Sequence, residues 1–98
     1  MTNPVDLPEI IHDETSQRFK LQIEGKMAVL DYTVRNGVMV FTHTEVPQEL
    51  EGRGLAGRLA RAGLEYAIQK KYKILPLCSF VAGYIQRHPE YEEWVVKR

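Results

Sequence analysis

The sequence predicts an α+β fold: an antiparallel β-meander, then a buried crossover helix, a splayed further strand and short C-terminal helices. Three observations carry that prediction. Apolar residues alternate with polar ones from Arg18 to Ile23, with Phe19, Leu21 and Ile23 on one face, the period of a half-buried strand. Asn36-Gly37 is a strong hairpin signal, because a type I′ turn needs positive φ at both central positions. After Pro47 the period changes, and Leu55, Leu59, Ala62 and Tyr66 fall on one helical stripe.

The elements follow in order. Residues 1–9 read as an irregular lead-in, and Ile10-Ile11 starts a strand. The strand Arg18 to Ile23 ends in a tight turn at Glu24-Gly25-Lys26. Met27 to Arg35 and Val38 to Val46 are the next two strands, closed by Pro47. Gly54 to Lys71 is the long helix; only Arg58, Arg61, Glu65 and Gln69 form a polar arc, roughly 80° wide. So narrow an arc means that more than one side of the helix is covered. Ile74 to Leu77 is a short strand in which Pro76 removes a ladder donor, so pairing stops or splays there. Ser79 caps a helix through Arg87, ended by His88-Pro89. Pro89, Glu90, Glu92 and Glu93 open a last helix running to the C-terminus.

Ninety-eight residues, 44% hydrophobic and 27% charged, make a single domain over 1–98 with one core. Thirteen basic and thirteen acidic side chains cancel, which argues against a nucleic-acid partner. The charge is nonetheless split: residues 1–52 carry 4 basic and 9 acidic side chains, residues 53–98 carry 9 and 4. An anionic ligand therefore belongs to the second half. One cysteine, Cys78, excludes an intramolecular disulfide and a multi-cysteine zinc site, and His12, His43 and His88 lack metal-ligand spacing. No metal is expected. Met1 to Ile11 does not read as a secretory signal, and the longest uncharged run, Ile74 to Gln86, is too short to span a bilayer. The expectation is a cytoplasmic protein with no membrane partner.

Glu51-Gly52-Arg53-Gly54-Leu55-Ala56-Gly57 lies between a strand and a helix, where backbone N–H groups converge on anions. The run fits G-x-G-x-x-G, but its context is wrong for a dinucleotide fold. Five residues separate the strand from the first glycine, the meander precedes it, and no acid follows about twenty positions on. Arg58-Leu59 after Gly57 also excludes a P-loop. A glycine-rich helix start packed closely on the sheet is the plain alternative.

Strand, Val46-Pro47, short loop, Glu51-Gly52-Arg53-Gly54-Leu55-Ala56 and long helix resemble motif A of the GNAT superfamily of acetyl-CoA-dependent N-acetyltransferases. Gly54 and Ala56 occupy defining positions of its Gln/Arg-x-x-Gly-x-Gly/Ala pattern. Phe41 to Tyr91, with His43-Thr44-Glu45-Val46 and Pro76-Leu77-Cys78, is more similar to a short, stand-alone branch of that superfamily. The resemblance implies that Val46 offers main-chain groups to the pantetheine arm of acetyl-CoA. It implies that Glu51, Gly52, Arg53, Gly54, Leu55, Ala56 and Gly57 surround the pyrophosphate, assisted by Arg58. It further implies a V-shaped gap between the fourth and fifth sheet strands. Glu51 stands where Gln or Arg is common, and its carboxylate repels phosphate there unless it turns away to cap the helix.

Transfer to an amine needs a base for the ammonium and an acid for the leaving thiolate. His43 and Glu45, two apart on one strand, share a face, and His43 titrates nearer neutrality. The resemblance places Tyr84 as the acid and Cys78 beside the thioester, with Cys78 as an acyl relay activated by His43. Each has a structural alternative: a solvated strand histidine, a core tyrosine, a small buried hydrophobe. The expected activity is transfer of an acetyl group from acetyl-CoA to a small or protein amine. An acyl-CoA sensor without turnover and a protein-interaction domain are the rival classes.

Overall fold

In a computed structural model, residues 9–97 are described. Five strands lie side by side in chain order: β1 (Ile11–Asp13), β2 (Arg18–Ile23), β3 (Lys26–Arg35), β4 (Val38–Glu45) and β5 (Lys73–Pro76). The first four pair antiparallel through tight turns, and β5 pairs parallel to β4. The parallel step requires a crossover, supplied by α1 (Leu55–Gln69). Asn36 and Gly37 have φ of 51° and 78°, the two left-handed residues that the hairpin turn demands.

Helix α1 begins after Gly54 and ends in a Schellman motif: Lys71 N–H donates to Ile68 O and Tyr72 N–H to Ala67 O. Lys71, at φ 64°, turns the chain back into β5. A second helix, α2 (Ser79–Arg87), lies against α1 and against β4 and β5. Leu21, Leu30, Met39, Phe41, Leu59, Leu64, Ile74 and Val81 are fully buried between sheet and helices. Gly63 is what lets α1 sit so close. A Cβ there would stand 2.7 Å from Phe41 Cε1 and 3.0 Å from Leu30 Cδ2.

The C-terminal segment differs from expectation. Pro89–Trp94 is a 3-10 helix that stops short of the C-terminus. Val95 then bridges Ile74 in parallel, and Val96 N–H donates to Ile74 O at 2.8 Å. Two consecutive β-branched residues, Val95-Val96, favour extended backbone and satisfy the open edge of β5. Ser79 is also not a cap: Cys78 holds the N-cap position of α2, with no side-chain capping bond. The strand expected from Ile10-Ile11 is β1, which pairs with β2; residues 1–8 of the lead-in lie outside the described part.

His12, without metal-ligand spacing in the sequence, is a packed residue of β1. Its ring stacks on Phe19 at 4.0 Å, meets Tyr66 edge-on at 4.4 Å, and hydrogen-bonds the Tyr32 hydroxyl through Nε2. Burial lowers its pKa below 6.5, against the opposing carboxylates of Glu14 and Asp13. The folded protein thus resists a proton that the unfolded chain accepts. The stability held at neutral pH is lost as pH falls from about 6.5 through the lowered folded value. Urea titrations at pH 7 and pH 5 should show a smaller difference in His12→Phe than in wild type. An equal difference would mean that His12 is not responsible.

Candidate functional site: a groove at the start of the crossover helix

Pairing between β4 and β5 runs only from Val38↔Lys73 to Phe41↔Pro76. Pro76 has no N–H to continue the ladder, and the chain leaves β4 after one further bond, Cys78 N–H to Phe41 O at 2.9 Å. Thr42 to Glu45 therefore face β5's side without a strand partner. This is the gap foreseen at Pro76.

A bulge shapes the same stretch. Tyr32 pairs with Phe41 but Asp31 pairs with His43, so Thr42 is the extra residue, its hydroxyl donating to Asp31 O at 3.2 Å. One inserted residue inverts the alternation. Thr44 now shares the inner face with Leu30, while His43 and Glu45 share the outer face with Asp31 and Val29. The Thr44 hydroxyl lies 3.0 Å from Cys78 Sγ. His43 Nε2 lies 3.2 Å from Glu45 Oε1, both side chains exposed.

These contacts sort the sequence candidates. His43 and Glu45 do share a face, as their spacing predicts. Cys78 is buried at the start of α2, and its hydrogen-bond partner is Thr44. His43 stands on the opposite face of the sheet, so activation of the thiol by His43 is replaced by a Thr44 contact. Thr44 is absent from the sequence reading because a bulge leaves no residue-level signature in β4.

Beyond Glu45 the chain passes through Val46 and Pro47 into a 3-10 turn, Gln48–Leu50, with Leu50 buried. Gly52 and Gly54 follow at φ 84° and 76°. The first intrahelical bond of α1 is Arg58 N–H to Gly54 O at 3.2 Å, which leaves the N–H groups of Leu55, Ala56 and Gly57 without a helical acceptor. Two contiguous cavities lie against this helix start. One, of about 220 Å³, is lined by Val46, Leu50, Glu51, Gly52, the run from Gly54 to Gly57, and Phe80, without Arg53. The other, of about 450 Å³, continues to Thr44 and Glu45 and shares Val46, Glu51, Ala56 and Phe80. Together they make one groove from the amides of α1 to Thr44, while Cys78, the partner of the Thr44 hydroxyl, lines neither cavity.

Charge around the groove is mixed. Glu51 lines it and makes no capping bond to α1, so its expected role as a cap does not hold. Gly54 in the left-handed region occupies the N-cap position instead. Arg53 points to Glu24 at 3.3 Å. Arg58 is half-buried, not part of a fully solvated arc, and its Nη1 is buried without a hydrogen-bond partner. An unpartnered guanidinium nitrogen one turn into α1 suits an anion. Tyr84 is placed apart from the groove. Its ring lies 3.7 Å from where a Gly57 Cβ would be, and it lines a separate polar pocket.

Among the described residues no three His, Cys, Asp or Glu side chains gather to hold a metal, and no helix is long and apolar enough to cross a membrane.

Comparison with known proteins agrees with this geometry. Protein NATD1 of Gallus gallus is 31% identical over 84 residues, spanning 83% of this chain and 76% of its own length. Protein NATD1 of Mus musculus is 32% identical over 81 residues, spanning 80% and 74%. The NMR solution structure of a GCN5-like protein from Staphylococcus aureus superposes with a TM-score of 0.71 at 28% identity, covering 92% of this chain and 89% of that one. Residues 18–94 match the sequence profile described as GCN5-related N-acetyl-transferase. With β2 through the C-terminal 3-10 helix inside that match, the chain belongs to the GCN5-related N-acetyltransferase family.

Proposed function

We propose that the protein transfers an acetyl group from acetyl-CoA to an amine, with the groove at the start of α1 holding the donor. The observation that carries this reading is the joining of two features in one channel. At one end are free helix-terminal amides, suited to a diphosphate, with Arg58 one turn further along the same helix. At the other are Thr44 and Glu45, on a strand segment with an unpaired edge. That edge suits the amides of a pantetheine arm, as an added strand would. Glu51 is the carboxylate at the helix-start end of the groove and opposes an anion there, so Glu51→Gln is expected to tighten donor binding.

In direct transfer the His43–Glu45 pair takes a proton from the acceptor ammonium. The amine nitrogen then bonds to the acetyl carbon, the carbon–sulfur bond of the donor breaks, and the second nitrogen proton passes to the departing sulfur. A second reading is favoured by the Thr44–Cys78 contact. There the acetyl group moves first to Cys78, whose proton leaves with the donor sulfur; the amine nitrogen then bonds to the acetyl carbon, the carbon–sulfur bond to Cys78 breaks, and a nitrogen proton returns to Cys78. Intact mass after incubation with acetyl-CoA separates the two, because only the relay leaves an acetyl adduct, lost in Cys78→Ala along with turnover. Full activity in Cys78→Ala eliminates the relay.

The primary test is binding and turnover. Acetyl-CoA at about 100 times its dissociation constant is expected to stabilise the protein by roughly 2.7 kcal/mol, and NAD by nothing. Free thiol should then appear with at least one member of a panel of small and peptide amines. No melting shift at millimolar acetyl-CoA refutes the proposal; a shift without thiol release with any amine favours an acyl-CoA sensor.

A further inference from the structure

Both helices lie on the face of the sheet that carries Leu30, Phe41 and Thr44, α1 through Gly63 and α2 from Cys78. The opposite face has no covering layer among the described residues, yet it carries exposed apolar groups. Three large hydrophobic side chains are exposed among the described residues. Two of them, Ile11 at 52% and Met27 at 40%, belong to this face, since Ile11 pairs with Lys20 and Met27 with Gln22. The third, Leu77 at 59%, stands just past β5, two residues beyond Leu75 of the same face. Apolar groups gathered on one side of a molecule mark an interaction surface.

Charge selects the partner. In one row across this face the register sets Lys20 on β2, Val29 on β3 and Glu45 on β4. That row is complementary to itself. A two-fold axis running along β3 above Val29 lays Lys20 over Glu45 of the partner subunit, and Glu45 over the partner's Lys20. Both groups keep bonding capacity for this. Lys20 meets Asp13 at 3.5 Å and Glu45 meets His43 through one oxygen at 3.2 Å, but an ammonium has three protons and a carboxylate two oxygens. In the next row Asp31 falls over the partner's Asp31, with each charge already met by its own Arg18 at 2.7 Å. The same rotation carries Ile11, at the β1 margin, toward the β5 margin where Leu77 stands. A two-fold across the strands would instead set Lys20 against the partner's Arg18 or Lys20, which like charges oppose.

The area also suffices. Five strands about 4.8 Å apart with about 20 Å of paired length give roughly 500 Å² per copy, about 1,000 Å² in all, the lower size of a specific interface.

We infer that the uncovered face is a self-association surface, on which a second copy of this chain seats face to face about a two-fold axis along β3. The pairing covers His43 and Glu45. On the transfer reading above, on which this consequence alone rests, the separated chain is the form open to an acceptor amine.

Sedimentation equilibrium from about 1 μM to about 1 mM tests the pairing in wild type, Lys20→Glu, Glu45→Lys and the two combined. Wild type is expected to dimerise reversibly, with a dissociation constant on the order of 100 μM for an interface at the small end of the range. Either single reversal sets like charges at both symmetric contacts and should weaken the dimer about tenfold. The combined swap restores opposite charges and should recover most of that loss. Thermal melts check that each variant is folded. A wild type that stays monomeric at about 1 mM overturns the inference. So does a dimer that neither single reversal weakens, or a loss that the combined swap fails to recover. None of these outcomes touches the donor groove, because acetyl-CoA binding is measured separately; failure to bind acetyl-CoA removes only the consequence for transfer.

Discussion

Gly63→Ala is expected to melt roughly 10 °C below wild type. The added Cβ would stand 2.7 Å from Phe41 Cε1, 3.3 Å from Phe41 Cζ and 3.0 Å from Leu30 Cδ2. Both partners are fully buried, so neither ring nor methyl has free space to enter. Overpacking of this kind costs on the order of 1–3 kcal/mol, and in a domain of this size each kcal/mol moves the midpoint by about 4–8 °C. The clash is with one ring above all, so Gly63→Ala combined with Phe41→Leu should cost less than the two single changes together. The consequence reaches the site as well. Phe41 is the last β4 residue paired with β5 and immediately precedes the bulge, and Gly63 holds α1 down upon it. Lifting α1 moves the helix start away from Thr44. An unchanged melting temperature in Gly63→Ala would show that the helix-to-sheet approach is not limiting.

Gly54→Val is expected to lose the stabilisation that acetyl-CoA gives under the proposed function, and to be less stable itself. No atom lies within 4 Å of the position a Cβ would take, so crowding within the protein is not the cause. The backbone is: φ is +76°, where a β-branched residue costs about 1–3 kcal/mol. A shift to negative φ would re-aim the amides of Leu55, Ala56 and Gly57. An unshifted loop would instead present a branched side chain where a diphosphate must approach. Either route weakens donor binding. In wild type, ligand at about 100 times its dissociation constant adds roughly 2.7 kcal/mol; in Gly54→Val most of that increment should vanish. An equal acetyl-CoA shift in both proteins would reduce the loop to a packing device.

Local rules were enough for most of the scaffold. Alternation placed Phe19 and Leu21 on the inward face, Asn36-Gly37 set the β3–β4 turn, and the switch of period after Pro47 marked α1. Each depends on residues within a few positions of one another, or on a periodicity that one strand or helix displays by itself. The motif from Glu51 to Gly57 was legible for the same reason, since the left-handed Gly54 and the helix start are local features. The pairing at the far end of the groove was not. A bulge at Thr42 arises from the register between β3 and β4, and it moves His43 away from Cys78 and brings Thr44 to it. The same holds for Val95 on the β5 edge, His12 beneath Tyr66, and Tyr84 in a pocket of its own. Those placements depend on partners 20 to 54 residues away in the chain. Only the folded sheet and its two helices, by fixing which distant surfaces must be buried together, decide them.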